Sequence, residues 1–276
     1  MTSRPLRPRR LPVPRIADMQ LRGRAAPLAT RVYWPAPCPS PGARPALMVL
    51  FPGGDADQAD ALSRGLCSYA GLVVLTLLGR PGASDADAAA LRDACTALDW
   101  AADHAVELGA DPGRLIVAGW ETGARPAAAV ALHARDQGWP PIARQVLICP
   151  DLGPDLAGGP LDAASVAGVA SATVVGVRDG DGDGTGGIGG ERHDVGCYAR
   201  RLRAAGVRVD ELRYEGLPSA GLTWLPWSEA ADGLVGDLAR SLQHRLALPP
   251  TAATRLDPHT DDTDDDTDHE SNEALR

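Results

Sequence analysis

The chain of 276 residues contains no lysine; all 27 of its basic side chains are arginine. Ala, Gly and Pro are abundant alongside that arginine, so the absence reads as a bias of nucleotide composition and carries no functional signal. Aromatic residues make up only 4%, with a single phenylalanine, and none is interleaved with the arginines of the first 15 residues. A basic arm without aromatic platforms has nothing to stack on bases, so nucleic acid is not the expected partner. Long apolar runs are missing too. None approaches the roughly 18 residues of a membrane span, and none of about 7–15 follows the basic start as in a secretory signal. The five cysteines, Cys38, Cys67, Cys95, Cys149 and Cys197, form no C-x-x-C pair and show no metal-ligand spacing. An odd number in a long chain argues against a disulfide framework. Reduced thiols in a cytoplasm are the expectation.

Charge is present but unevenly placed. The formal net charge is -9. Residues 1–24 hold seven arginines against Asp18, whereas residues 257–276 hold nine acids against Arg276. Pro-rich "MTSRPLRPRRLPVPR" blocks helix and removes backbone donors, so residues 1–15 are expected to be a disordered basic arm. The acidic run repels itself and offers nothing to a core, so residues 249–276 are expected to be a disordered tail. The whole chain is 44% hydrophobic, enough for residues 16–248, between the two tails, to build one domain.

Strand and helix signals alternate through that middle. Expected strands are 28–35, 46–51, 72–78, 115–119, 143–150, 171–177 and 207–214; expected helices are 85–109, 122–138, 194–206 and 227–248. The strands "ALMVLF" and "LVVLTLL" are apolar at nearly every position, the mark of strands buried on both faces. Alternation of this kind predicts a mostly parallel sheet covered by helices on both sides.

The stretch "RLIVAGWETGARPAAAVAL" (114–132) has the shape of strand, sharp turn and helix, with Gly119 and Gly123 flanking a central residue. That is the layout of the G-x-S-x-G nucleophile elbow. Here the centre is Glu121, not serine. With "RVYWP" (31–35), "DWAADHAVELGADPGRLIVAG" (99–119), "PPIARQVLICP" (140–150) and "YARRLRAAGVRVDELRYEG" (198–216), the chain resembles the hormone-sensitive-lipase-like branch of the α/β-hydrolase fold. The likeness spans about residues 16–245.

The resemblance implies a Ser nucleophile, a His base, an orienting acid and backbone oxyanion donors. Glu121 takes the nucleophile position. It has three readings: a helix-start acid, a built-in anion folded back into the oxyanion hole, or a carboxylate nucleophile. The His position falls in "YEGLPSAGLTW" (214–224), on Ser219 or Ala220, and neither is a base. Asp179 matches the acid, with Asp181 as the alternative alignment. In "FPGGD" (51–55), Gly53 and Gly54 with the N–H of Thr122 match the oxyanion donors, and Asp55 brings an unhelpful charge. His104 and His133 read as helix-face residues, and His244, His259 and His269 lie far from the motif. His193 is the one substitute base. The segments that would build a cap are short, so the cap is expected to be reduced.

The expected function is therefore a non-catalytic relative of the esterases that binds a small molecule or a protein. The family includes hormone receptors that have lost the catalytic His. The alternative is a hydrolase of altered mechanism, using Glu121 as nucleophile or His193 as base. No cofactor is expected. One insertion, "RDGDGDGTGGIGGER" (178–192), places Asp179, Asp181 and Asp183 ahead of Gly184 like the first half of a calcium loop. The closing Glu should stand where Gly190 is; Glu191 comes one residue late. A plain Gly/Asp loop is the first reading and a weak Ca2+ site the alternative. Millimolar calcium is thus expected to leave Tm unchanged. A rise that Asp181→Ala with Asp183→Ala abolishes would assign the site instead.

Overall fold

Apolar runs become the middle of a sheet. The strand Ala46–Phe51 is buried at all six positions, and Leu115 to Trp120 are buried in succession. A strand that is apolar on both faces needs a layer on each side, and that demand fixes the architecture. The structure is a computed structural model, which describes residues 11–23, 27–37, 42–53, 56–78, 87–152, 166–178, 191–215 and 229–247. Among these are strands β1 (Arg15–Leu21), β2 (Leu28–Trp34), β3 (Ala46–Phe51), β4 (Val73–Leu77), β5 (Asp111–Trp120), β6 (Ile142–Ile148), β7 (Ala172–Arg178) and β8 (Val209–Glu215). The helices are α1 (Ala56–Ala70), α2 (Asp87–Asp103), α3 (Ala124–Gln137), α4 (Glu191–Ala204) and α5 (Glu229–Leu246).

The eight strands form one sheet in the order β1-β2-β4-β3-β5-β6-β7-β8. From β4 to β8 every pairing is parallel; β2 runs antiparallel to both β1 and β4. Two apolar layers result. On one side Val49, Val117 and Leu147 meet Leu98 of α2, Ala128 of α3 and Tyr198 of α4. On the other Met48, Ile116 and Val146 meet Leu66 of α1 and Leu238 of α5. Every parallel strand therefore ends at the same edge, which is where an open α/β sheet binds its ligands.

Several boundaries differ from the sequence expectation. The helix expected over 85–109 ends at Asp103 and is followed by turns. His104 thus sits in a turn, not in a helix. Its ring stacks on Trp100 at 4.5 Å, and Gly109 closes the segment in the left-handed region (φ 74). β5 begins at Asp111, earlier than expected, with an irregular register against Ala46. Two elements had no clear sequence signal. β1 is an edge strand without clean alternation. α1 buries the polar residues Asp60 and Ser63.

Those polar residues are satisfied. Tyr33 donates to Asp60 Oδ1 at 2.9 Å, and Arg64 Nε donates to Asp60 Oδ2 at 2.7 Å. Arg31 lies 3.5 Å from the same carboxylate and makes a two-point contact with Asp18. Ser63 and Thr76 share a hydrogen bond of 2.7 Å. Burial and the neighbouring Asp60 push the Tyr33 hydroxyl well above its usual range, so it stays a donor. The network fastens β1 and β2 to α1. It also reaches the stretch expected as an arm: Leu11 is buried and its carbonyl accepts from Arg64. Packing therefore begins inside residues 1–15. Residues 1–10 and the expected tail, 249–276, lie outside the described residues, as does 153–165 of the expected reduced cap.

Removing a buried carboxylate strands its donors, so Asp60→Ala is expected to destabilise the domain by about 2 kcal/mol. Urea unfolding checks this; an unchanged midpoint would refute the role given to Asp60.

Candidate active site

β5 runs without a break into a 3-10 turn, Glu121–Gly123, and then into α3. Trp120 is still extended (φ -122, ψ 130), whereas Glu121 has φ 50. A non-glycine residue in this left-handed region carries strain of about 1 kcal/mol or more and persists only where its surroundings hold it there. They do so through three glycines. A Cβ on Gly119 would meet Ala124 Cα at 2.5 Å and the Gly123 carbonyl closer still. One on Gly123 would meet the Phe51 carbonyl carbon at 2.6 Å. One on Gly53 would meet Trp120 O at 2.5 Å and Thr122 N at 2.8 Å. The loop after β3 and the turn after β5 therefore touch backbone to backbone. The register Phe51↔Gly119 sets them side by side.

The structure thus brings together Gly53, Glu121 and Thr122 of the expected site. Glu121 is half-buried and Thr122 exposed at the start of α3. A carboxylate there faces the positive end of the helix. Gly54 and Asp55 of the oxyanion loop lie outside the described residues, as do Asp179, Ser219 and Ala220. Asp179 would follow directly on Arg178, the last residue of β7, and 219–220 belong to the segment after β8. His193 has its backbone in the first turn of α4, but its side chain lies outside the described residues. The calcium reading falls on Asp179, Asp181 and Asp183, which are likewise outside them. Among the described residues no group of three or more His, Cys, Asp or Glu could hold a metal ion.

Two contributions escaped the sequence. After β6, Cys149 also adopts a left-handed conformation, φ 43, with its N–H donated to Val175 O at 2.8 Å. That turn lets Asp151 donate its N–H to Glu121 O at 3.1 Å, tying the β6 loop to the elbow. Nothing in "ICPD" signals it. Beneath the elbow lies Trp120, fully buried against the α1 and α5 layer. Its indole Nε1 has no hydrogen-bond partner among the described residues.

A sharp glycine-flanked turn between β5 and α3, at the carboxyl edge of a sheet in this strand order, decides the matter. The chain belongs to the α/β-hydrolase fold, in its hormone-sensitive-lipase-like branch. Residues 50–175 match a family described as alpha/beta hydrolase fold. The esterase LipI of Mycobacterium tuberculosis is 37% identical over 140 residues, 49% of this chain and 44% of that protein. The carboxylic ester hydrolase LipN of the same organism is 31% identical over 247 residues, 73% of this chain and 62% of that protein. The chain therefore spans less than two thirds of the length of these curated relatives. An esterase of Pyrobaculum calidifontis superposes with a TM-score of 0.69 at 26% identity, covering 86% of this chain and 87% of that one. The carboxylesterase EstE1 shares the fold at a TM-score of 0.71 and 24% identity, covering 87% and 91%. No described helix is long and apolar enough to cross a membrane.

Because its Cβ would collide with backbone, Gly119→Ala is expected to cost about 3 kcal/mol or more, or to prevent folding. Gly138 has φ 68 but open space around its Cβ position, so Gly138→Ala is expected to cost only about 1 kcal/mol. Chemical denaturation of both variants checks the contrast. Equal losses would show that crowding at the elbow is not what demands glycine.

Proposed function

We propose that this is an esterase-like scaffold that does not hydrolyse esters and instead binds a small molecule or a protein partner at the carboxyl edge of its sheet. One observation carries the reading: the residue at the apex of the elbow is Glu121. A serine hydroxyl there would be activated by a His and would form an acyl intermediate. A carboxylate beside the helix start instead fills an anion-favouring site with the protein's own charge. The sequence likewise offers Ser219 or Ala220 where the family's base should stand, leaving Asp179 nothing to orient. The described cysteines Cys67, Cys95 and Cys197 are free thiols, which fits the expected cytoplasmic setting.

The backbone of Glu121 favours a second reading. Its φ of 50 keeps the strained presentation that a nucleophile uses. On that reading the Glu121 carboxylate attacks the ester carbonyl to form an anhydride, the ester C–O bond breaks and the alcohol leaves with a proton from His193, and a water that His193 then deprotonates opens the anhydride and frees Glu121.

Both readings meet in one assay. Purified protein is expected to hydrolyse short-chain p-nitrophenyl esters no faster than background. Turnover that disappears in Glu121→Gln or His193→Ala would establish the second reading and remove the first.

A further inference from the structure

Two arginines converge on one carboxylate at the start of β8, Asp210. Arg144, from β6, is buried; its Nε donates to Thr173 Oγ1 at 2.6 Å and its Nη2 to Ala172 O at 3.0 Å and to Asp210 Oδ2. Arg245, near the end of α5, donates to Asp210 Oδ1 at 2.5 Å. Arg208, exposed just before β8, adds a positive charge that acts on Arg144. Burial is the main cause that lowers the Arg144 pKa, and the positive charges of Arg245 and Arg208 add to it while Asp210 opposes. One negative charge thus stands among three positive ones. The next residue repeats the imbalance. Glu211 accepts from both Arg203 of α4 and Arg213, at 3.1 and 2.7 Å. Each of these two carboxylates on β8 is outnumbered, and Arg203, Arg208 and Arg213 remain exposed. A basic wall of this kind is out of keeping with a chain of net charge -9.

The described chain stops at Ala247, two residues beyond Arg245. Residues 257–276, which follow a few positions later, carry nine acids against a single arginine. We propose that this acidic segment of the same chain docks on the arginines of the α5 side of the β8 edge, Arg208 and Arg245. Guanidinium groups present paired donors that suit carboxylates. Tethering makes the encounter intramolecular, so weak individual pairs suffice. The other candidate for the acidic segment is the arginine-rich stretch 1–10. That stretch joins the domain at Leu11, beside Arg64 of α1 and the β1–β2 end of the sheet. β8 is the opposite end, and α5, the last described helix, brings Arg245 to it.

The test is modification of the full chain with the arginine reagent phenylglyoxal, read residue by residue by mass spectrometry. It is compared with a variant carrying Asp261→Asn, Asp262→Asn, Asp264→Asn, Asp265→Asn, Asp266→Asn and Asp268→Asn. At low salt, Arg208 and Arg245 are expected to react about five-fold slower in the native chain, the protection of an ordinary coupling. Arg22 and Arg92, exposed elsewhere on the domain, should react alike in both. The protection should vanish near 1 M salt, where the screening length falls to about 3 Å. Equal rates in the two chains would overturn the proposal. Protection that fades on dilution would overturn it too, by assigning the wall to a second copy.

Discussion

Contact between the backbone after β3 and the backbone after β5 is the constraint on which the rest of the molecule depends. Gly53, Gly119 and Gly123 leave no room for a Cβ, and this lets the two loops and the first turn of α3 occupy one small volume. Interiors are packed too densely for such an approach to be adjusted by degrees. The register of β3 on β5, the direction in which α3 departs and the left-handed backbone of Glu121 are therefore set together. The side chain at the apex can change without disturbing them. The fold by itself does not dictate which side chain stands at that apex.

Around this apolar centre, charge is used to fasten the periphery. Asp60 gathers Tyr33, Arg31 and Arg64, and joins the outer strand pair to a helix. Asp210 gathers Arg144 and Arg245, and joins the opposite edge to α5 and, across β7, to the strand β6. Both hubs are carboxylates read by arginine, the only basic residue available apart from histidine. A guanidinium can serve several acceptors in one plane, as Arg144 does with Thr173, Ala172 and Asp210. With lysine the same hubs would need more side chains.

Much of the architecture was legible because burial on both faces imposes itself on composition. The central strands were visible as apolar runs, and the glycines around Glu121 marked the turn. β1 and α1 were not. An edge strand has one side against water and need not alternate cleanly, and α1 places Asp60 and Ser63 inward because Tyr33, Arg64 and Thr76 wait there. Such pairing is invisible until distant segments are brought together. At the site, the flanking glycines marked Glu121, and the resemblance to the family's oxyanion loop pointed to Gly53. The link from Asp151 to Glu121 could not, since it depends on the backbone of Cys149 turning left-handed without a glycine. The burial of Trp120 under the elbow follows from its place at the end of a strand that alternates between two layers, a parity that was readable but gave no hint of an unpaired indole.

The strand order carries a consequence for how the chain assembles. β2 is followed in sequence by β3, yet its inner neighbour is β4, which arrives only after β3 and α1 have been laid down. The β1–β2 hairpin can form early by local contacts, but it has no edge to join until the β3-α1-β4 unit has closed. Tyr33 and Arg31 are carried on that hairpin, and Asp60 on the helix of that unit. The ion-paired hub between them therefore needs both units in place before it can form. Loop-closure entropy makes such non-local docking slow relative to the unit it awaits.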